Sequence, residues 1–304
     1  MSATEKKTLK YAALVHNPTA GKEKETKEDL IAMIQSYGFE CDYYSSKEDE
    51  YKKLDPKYDF IIVAGGDGTI RKMVKIMSDQ KKLREIPLAI LPLGTANNIS
   101  KTLGIKGKID QIIQNWHHAT LKKLDLGIVT SDPVNSIIIE GMGFGMFPSL
   151  IKEMKKRNNE KELSPEKQIQ LAQSIFFDMV ASYEPKFARI DIGETVLSGK
   201  FYMVEIMNMR SVGPHLFMAP YAEPGDGELE VVLVPASQKD KLQAFAQSKV
   251  DKTEEVFFFD ILKAKKINIT WHTDYIHVDD ELIEVNGTFE AAIELKAQHI
   301  QVLI

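Results

Sequence analysis

Short apolar runs and stretches with helical spacing alternate along the first part of the chain. Runs that are apolar, rich in β-branched or aromatic residues and bounded by turn residues predict strands. These predicted strands cover residues 11–15, 39–44, 59–64 and 87–91. Apolar positions at helical spacing predict helices around residues 30–34, 69–77 and 97–103. Strands that alternate with helices in this way predict a parallel sheet covered by helices on both faces.

The pattern changes after residue 125, where strands follow one another and are separated by turn signals. The predicted strands there cover residues 136–140, 200–206, 229–234, 266–270 and 299–304. Turn signals lie at residues 224–227 and 286–287, and helical stretches at residues 168–181 and 239–247. Because 304 residues exceed the size of a single growing core, we expect two domains. The first is an α/β domain over residues 1–125. The second, over residues 126–304, is a β-rich, mostly antiparallel domain with helical insertions, and its last strand is a candidate to return to the first domain.

Composition and charge narrow the classes of function. The chain has 43% hydrophobic and 27% charged residues, a formal net charge of -5 and a pI of about 5.9. This composition is typical of globular proteins, and the acidic balance argues against a nucleic-acid partner, which needs a broad basic surface. The same composition is compatible with a local basic patch that faces a membrane.

Cysteine use and hydropathy bear on the compartment. Cys41 is the only cysteine, so no intramolecular disulfide can form and we expect a reducing compartment. The first ten residues lack the apolar region of a signal peptide, and no charge-free apolar run approaches about 20 residues. We therefore expect a cytoplasmic protein that meets any lipid from the aqueous side, with peripheral contact at the inner membrane face left open.

The strongest chemical signal is a glycine-rich motif that directly follows a predicted buried strand and directly precedes a helix. It consists of Gly65, Gly66, Asp67, Gly68 and Thr69. Consecutive glycines permit positive φ and close approach of the backbone to a ligand, and their N–H groups at a helix N-terminus suit a phosphate. Thr69 can cap the helix or donate to a phosphate oxygen, and Asp67 can orient Mg²⁺ or accept a hydroxyl proton. The alternative is a tight turn in which Asp67 serves as the cap.

This motif resembles the nucleotide-binding signature of diacylglycerol kinases, sphingosine kinases, NAD kinases and phosphofructokinases. Five further segments resemble those of diacylglycerol-kinase-like lipid kinases and occur in the order of that family. They are residues 17–22, 92–98, 123–127, 226–229 and 278–281. NAD kinases and phosphofructokinases lack the segment at residues 92–98 in this form. The resemblance implies a doubly wound α/β domain of the phosphofructokinase and NAD-kinase type, followed by a mostly antiparallel β domain.

The resemblance also implies a reaction, in which ATP and Mg²⁺ are used to transfer the γ-phosphate to a lipid hydroxyl, as of a diacylglycerol or a sphingoid base. It implies that Asp67, Asp125 and Glu281 are catalytic carboxylates and that Asp226 helps to bind a structural magnesium. The residues implied as nucleotide contacts are Asn17, Lys22, Lys27, Gly65, Gly66, Gly68, Thr69, Gly94, Thr95 and Asn98. The implied partner is a lipid presented by a membrane surface, and a homodimer stays open.

The implied residues also have structural interpretations. Asn17 precedes a proline and suits a turn, Lys22 and Lys27 suit a solvated surface, and either Thr95 or Asn97 suits a helix cap. Asp125 differs, because it lies in an apolar strand, where a carboxylate is costly unless it is paired, hydrogen-bonded or near a metal.

Two positions depart from the family pattern. Asn98 stands where the second nucleotide motif usually has aspartate, and an amide keeps the hydrogen-bonding shape but loses the negative charge. Asn98 should therefore weaken metal binding and slow turnover. Asp280 stands where the late motif usually has glycine, and aspartate is among the residues that tolerate positive φ. The acidic run that contains Glu281 also suits a plain surface turn.

Apolar and basic segments of the second half are candidates for contact with the acceptor lipid. Residues 141–147 are rich in Met and Phe, and residues 217–218 and 257–259 are further apolar candidates, with core packing as the alternative. The basic residues at 152 and 155–157 suit either anionic headgroups or a solvated helix face.

Two other functions stay open at this point. One is a kinase of a soluble acceptor, such as NAD or a sugar. The other is a catalytically weak homologue that binds nucleotide or lipid, which Asn98 favours.

Overall fold

The computed structural model describes residues 10–20, 25–132, 134–157, 163–253 and 255–304. The chain forms two compact units, one of Met1–Leu124 together with Gln298–Ile304 and one of Asp125–Ala297. The predicted fold class, an α/β domain and a mostly antiparallel β domain, is confirmed. Among the helices that the structure describes, none combines the length and the apolar character needed to cross a bilayer.

The first unit consists of a parallel sheet and the helices that connect its strands. Its elements are β1 (Tyr11–His16), α1 (Lys27–Ser36), β2 (Glu40–Ser45), a 3₁₀ helix (Glu50–Lys53), β3 (Phe60–Gly65), α2 (Asp67–Asp79), α3 (Lys81–Arg84), β4 (Leu88–Pro92), α4 (Asn98–Leu103) and α5 (Ile109–Asn115). The strand order is β2-β1-β3-β4, and Val302 pairs in parallel with Leu88 of β4. The strands and helices predicted from hydrophobic spacing are confirmed here, with small differences at their ends.

Burial on both sides of this sheet explains its apolar strands. Ile61, Ile62 and Val63 of β3 are fully buried in succession, as expected for a parallel strand that is covered on both faces. The rings of Phe39, Phe60 and Trp116 meet edge to face at centroid distances of 5.5 to 5.7 Å and form the centre of one core. This packing holds the carboxyl ends of the strands, where the glycine-rich motif lies, in a fixed arrangement.

The second unit is built mainly from antiparallel strands. Its elements are the latter part of β5 (Leu121–Thr130), β6 (Asn135–Ile138), β7 (Gly141–Gly145), α6 (Met146–Arg157), α7 (Pro165–Ser182), β8 (Lys186–Ile192), β9 (Thr195–Met207), β10 (Ser211–Val212), β11 (Leu216–Phe217), β12 (Leu229–Pro235), a 3₁₀ helix (Ala236–Gln238), α8 (Lys239–Asp251), β13 (Asp260–Ala264), β14 (Lys266–Val278) and the first part of β15 (Glu281–Leu303). The strand order is β13-β12-β9-β7-β14-β15, and β8 pairs with both β9 and β14. One core lies around Phe144, Trp271 and Phe289, and a second core, around Phe176 and Phe245, includes side chains of α6, α7 and α8.

The predicted turn at Asn286 and Gly287 is wrong. Both residues lie inside β15, and both have positive φ next to a shift in the register between β14 and β15. Strand pairing on either side therefore converts the local turn signal into a bulge instead of a chain reversal.

Of the two interpretations of residues 141–147, core packing is the one that the structure shows, and an acceptor-binding surface is not. These residues form β7 and the start of α6, and all of them are buried. Of the other apolar candidates, Met218 and Phe259 are buried, whereas Phe258 is 52% exposed and stacks on Tyr221 with ring centroids 5.9 Å apart. Core packing, the alternative interpretation, accounts for most of these side chains.

The basic residues of α6 are partly neutralised within the helix. Lys156 and Arg157 lie 3.7 and 3.0 Å from the carboxylate of Glu153, and Lys152 Nζ lies 3.9 Å from the centroid of the Tyr275 ring. This arrangement is that of a solvated helix face with internal ion pairs, which contribute little to stability.

Candidate active site

The glycine-rich motif forms the connection between β3 and α2. β3 ends at Gly65, Gly66 is the N-cap residue with φ -92, and α2 begins at Asp67. Positive φ is therefore not the reason for these glycines. The reason is close approach, because a Cβ on Gly66 would lie 3.0 Å from the Cα of Gly94, and a Cβ on Gly94 would overlap the Cα of Gly66. Two loops thus meet backbone to backbone, with no side chain between them.

Asp67 joins the two nucleotide motifs through its carboxylate. Its Oδ2 accepts the N–H of Asn98 and its Oδ1 accepts the N–H of Ile99, both at 3.0 Å. Asp67 therefore caps α4, a helix that begins 31 residues later, and does not cap its own helix. Of the two roles open to Thr69, capping of α2 is not the one seen, because the N-cap residue of α2 is Gly66 and Thr69 is a buried residue of the first turn.

Asn97 gives the second motif its shape. It has φ 51, and its Nδ2 donates to the carbonyl oxygens of Pro92 at 3.2 Å and Gly94 at 2.7 Å. The side chain closes the loop after β4 and leaves the capping of α4 to Asp67. Asn98 is buried at the first position of α4, and Thr95 is exposed on the loop.

The first motif segment lies at the same edge of the parallel sheet. Asn17 follows β1, its N–H donates to the carbonyl oxygen of Ala64 in β3, and its Oδ1 accepts from the N–H and hydroxyl of Thr19. The loops after β1, β3 and β4 therefore meet at the carboxyl ends of three neighbouring strands, where open α/β sheets bind ligands.

The structure describes one of the two lysines predicted as nucleotide contacts. Lys27 is the first residue of α1, and its Nζ lies 4.6 Å from the centroid of the Tyr43 ring. Tyr43 also lies against the buried His16, with 3.3 Å between Tyr43 Oη and His16 Nδ1, and burial lowers the pKa of His16. Lys22 lies outside the described residues.

Asp125 satisfies its buried carboxylate within the second unit. Its Oδ2 accepts the N–H of Gly227 at 2.8 Å, and its own N–H donates to the carbonyl oxygen of Pro224. Asn208 Nδ2 donates to the carbonyl oxygens of Asp125 and Ile139, at 2.8 and 3.0 Å. The structure thus brings two motif segments, 123–127 and 226–229, into direct hydrogen-bonded contact.

Asp226 is paired with a lysine. Its Oδ2 lies 2.6 Å from Lys263 Nζ, and its Oδ1 accepts the N–H of Glu228. Lys263 Nζ also lies 3.5 Å from the buried Glu230, whose pKa burial raises to about 7. Among the side chains that the structure describes, no group of three or more His, Cys, Asp or Glu is arranged to hold a metal ion, so a magnesium at Asp226 stays a prediction.

Glu281 lies at the end of a two-residue turn between β14 and β15. It is exposed at the first position of β15 and pairs with Val278. Asp279, with φ 53, is the positive-φ residue of the turn, and the expectation that this conformation falls on Asp280 is wrong. Asp279 Oδ1 accepts the N–H groups of residues 139–141 at 2.8 to 3.2 Å, so the turn is tied to the loop before β7.

A buried acid–base pair close to this turn escaped the sequence analysis. Glu205 Oε2 and His277 Nε2 are 2.7 Å apart and both side chains are fully buried. Burial raises the pKa of Glu205, and His277 offsets this only in part. Burial alone would lower the pKa of His277, but the Glu205 carboxylate and the Asp279 carbonyl outweigh it and raise that pKa. One sequence signal was available, namely Gly141, Gly143 and Gly145 at every second position of a strand.

Two family models match successive parts of the chain. The model of the diacylglycerol kinase catalytic domain matches residues 11–129, and the model of the YegS C-terminal NAD kinase beta sandwich-like domain matches residues 153–304.

Curated relatives and solved structures are similar over nearly the whole chain. A diacylglycerol kinase of Staphylococcus epidermidis is 25% identical over 96% of this chain and 92% of its own, and one of Staphylococcus haemolyticus is 26% identical over 96% and 88%. A diacylglycerol kinase structure from Bacillus anthracis str. Sterne has a TM-score of 0.69 at 19% identity, covering 98% of this chain and 97% of that chain. A second structure from that strain has a TM-score of 0.75 at 21% identity, covering 98% of both chains.

Proposed function

We propose that this protein transfers the γ-phosphate of ATP to a lipid hydroxyl with Mg²⁺ as cofactor. The chain belongs to the diacylglycerol-kinase-like family of lipid kinases, and the proposal follows from that membership. The observation that carries the ATP part of this proposal is the contact between Gly66 and Gly94. It leaves a surface of bare backbone at the carboxyl edge of the parallel sheet, next to the N-terminus of α2. N–H groups at such a place suit the oxygens of a polyphosphate.

The residues of the first unit fit nucleotide and metal in different ways. The glycine loops fit phosphate, since they present bare backbone beside the N-terminus of α2, and a Cβ at Gly94 would collide with Gly66 and force the two loops apart. Asp67 would hold the metal, because each of its oxygens accepts a single N–H and keeps a second lone pair. Mg²⁺, when bound, supplies neutralisation of the charge on the phosphate oxygens.

Glu281 is proposed as the base that accepts the proton of the acceptor hydroxyl. Its side chain is exposed and has no hydrogen-bond partner among the described residues. Both oxygens of Asp67 are engaged in holding α4, which suits a group that orients the metal and the loops. Phosphoryl transfer depends mainly on positioning and charge neutralisation. One carboxylate as the base and one that orients the metal are therefore enough for the reaction.

The acceptor class is tested by transfer of label. The protein is incubated with γ-labelled ATP, Mg²⁺ and a total lipid extract, and in parallel with NAD and with a mixture of sugars. We expect label in a lipid fraction, as for a diacylglycerol or sphingoid base, and none without Mg²⁺. If label appeared only in NAD or in a sugar, the proposed lipid acceptor would be wrong and that soluble compound would be the acceptor. ATP binding with no labelled product in any arm would contradict phosphoryl transfer.

Asn98 favours a second candidate function, that of a catalytically weak homologue. Asn98 is buried beside the Asp67 carboxylate at the first position of α4, where a negative charge is favoured by the helix dipole. We expect Asn98→Asp to lower the Mg²⁺ concentration for half-maximal rate on the order of tenfold, equivalent to about 1.4 kcal/mol. The measurement is the initial rate as a function of Mg²⁺ at saturating ATP.

Asn115→Asp is the matched control for that substitution, because Asn115 is exposed at the end of α5 in the same unit. We expect the control to leave the Mg²⁺ dependence unchanged. An unchanged Mg²⁺ dependence in Asn98→Asp as well would show that the missing charge does not limit the enzyme.

A further inference from the structure

Three strands bring Glu205 and His277 together across a glycine. Gly143 of β7 is the register partner of Glu205 in β9 and also of His277 in β14. Since β7 lies between β9 and β14, a side chain at position 143 would separate the pair, and a Cβ built there would overlap the Glu205 carboxylate. Glycine at this position therefore permits the 2.7 Å approach of Glu205 Oε2 to His277 Nε2.

A gain in stability is a weak explanation for this pair. Both side chains are fully buried, and Glu205 Oε1 has no hydrogen-bond partner within the described part of the chain. The removal of two ionisable groups from water offsets most of their mutual attraction, and apolar replacement of such pairs is often neutral or stabilising. The pair is better explained by the group that it holds in place.

His277 connects the pair to the turn that precedes Glu281. Its Nδ1 lies 2.8 Å from the carbonyl oxygen of Asp279, which can only accept, so Nδ1 carries a proton and donates. Asp279 is also bound through its N–H, which donates to the Gly141 carbonyl oxygen at 2.7 Å, and through its carboxylate. These bonds hold a non-glycine residue at positive φ, a conformation that needs support from its surroundings.

We propose that the Glu205–His277 pair positions the Asp279 turn, and through it the Glu281 carboxylate, for phosphoryl transfer. This inference rests on the proposed function, in which Glu281 is the base. Glu205 binds Nε2 and so fixes the orientation of the His277 ring, while the Asp279 carbonyl oxygen accepts the proton that Nδ1 carries. The ring in turn fixes the Asp279 carbonyl, two residues before Glu281.

A pair of substitutions at Glu205 tests the inference through turnover. Glu205→Leu removes the hydrogen bond to His277 in a shape that a buried site accepts, and we expect kcat to fall on the order of 10²-fold with a smaller change in the KM for ATP. Glu205→Gln keeps an amide that can donate to Nε2 of a histidine protonated on Nδ1, and we expect it to recover at least half of the lost rate on a logarithmic scale. His272→Gln, an exposed histidine on the same strand, is the control and should keep the wild-type kcat.

Amide hydrogen exchange tests the positioning without any assay of activity. In Glu205→Leu we expect faster exchange at residues 139–141 and at Asp279, and unchanged exchange in β3 of the first unit. Unchanged exchange at the turn would overturn the inference, whatever the acceptor of the enzyme proves to be.

The double variant Glu205→Leu/Glu281→Gln separates this inference from the assignment of the base. If the pair acts through Glu281, the double variant is no slower than Glu281→Gln alone. A wild-type kcat in Glu205→Leu, or losses that multiply in the double variant, would overturn the inference and leave the base assignment intact. A wild-type kcat in Glu281→Gln would overturn the base assignment and the catalytic part of the inference, whereas hydrogen exchange would still report on the turn.

Discussion

We expect replacement of Asp67 by asparagine to lower kcat by about 10²–10³-fold, the range typical of losing one preorganised electrostatic group at the reacting centre. The amide has the same shape but lacks the negative charge that, in the proposed function, orients Mg²⁺ on the phosphates. The measurement is steady-state transfer of label from ATP to the acceptor lipid at saturating Mg²⁺. Wild-type turnover would remove Asp67 from the mechanism.

The same substitution also lowers the free energy of unfolding, by about 0.5–2 kcal/mol, the range for loss of a helix cap. A purely catalytic aspartate would leave stability unchanged, but Asp67 accepts the N–H groups of Asn98 and Ile99 with separate oxygens. Asparagine offers one oxygen, and its amide nitrogen would face the other N–H. Thermal unfolding measures this effect.

Asp79→Asn is the matched control for both effects, because Asp79 is exposed at the opposite end of the same helix. We expect turnover to be unchanged and stability to shift by less than about 0.5 kcal/mol, as for most surface substitutions. A stability loss in Asp79→Asn equal to that in Asp67→Asn would contradict the capping role of Asp67.

Substitution of Gly94 by alanine should abolish the close approach of the two nucleotide loops. The added Cβ would overlap the Cα of Gly66 and would lie 2.7 Å from Asn97 Oδ1, and backbone cannot rotate away as a flexible side chain can. Overpacking of this kind lowers the free energy of unfolding by about 1–3 kcal/mol. If the loops separate to relieve the clash, nucleotide binding must bring them together again and loses the same energy. Each 1.4 kcal/mol lost raises the Kd for nucleotide about tenfold. Titration with an ATP analogue, together with thermal unfolding, measures both quantities.

Gly68→Ala is the control for folding, since a Cβ there would meet only Arg71 Nη2 at 3.5 Å, an ordinary contact. Gly68 is the second residue of α2, where alanine is a better helix former than glycine, so we expect equal or higher thermal stability. If Gly94→Ala bound nucleotide as tightly as the wild type, the loop contact would have no part in the phosphate site.

The strands of the first unit were predictable because their signal is local. Residues 59–64 are apolar without interruption, which is typical of a strand buried on both faces, and the structure places β3 there. The glycine-rich motif was equally local, being a short run between a strand and a helix. What it could not reveal was the partner of its glycines, since Gly66 and Gly94 are far apart in sequence and meet only through the order of β3 and β4.

Two of the errors share one physical cause, which is that tertiary pairing overrides a local preference. Asn286 and Gly287 form a good turn signal, but strand pairing on both sides makes them a bulge. The assignment of positive φ to Asp280 followed the position of a family glycine, whereas the hydrogen bonds around Asp279 select that residue instead. The Glu205–His277 pair depends on the register of three strands, which no local pattern encodes.

The pairing of Val302 with Leu88 has a consequence for how this protein is made. Residues 298–304 belong to the unit that begins at the other end of the sequence, and Ile304 exchanges two backbone hydrogen bonds with Thr120. A nascent chain leaves the ribosome from its amino terminus. The parallel sheet of the first unit therefore lacks the end of β15 until the whole β-rich unit has been synthesised. During that interval the edge of β4 lacks its β15 partner, and an unpaired strand edge is a template on which other strands can pair.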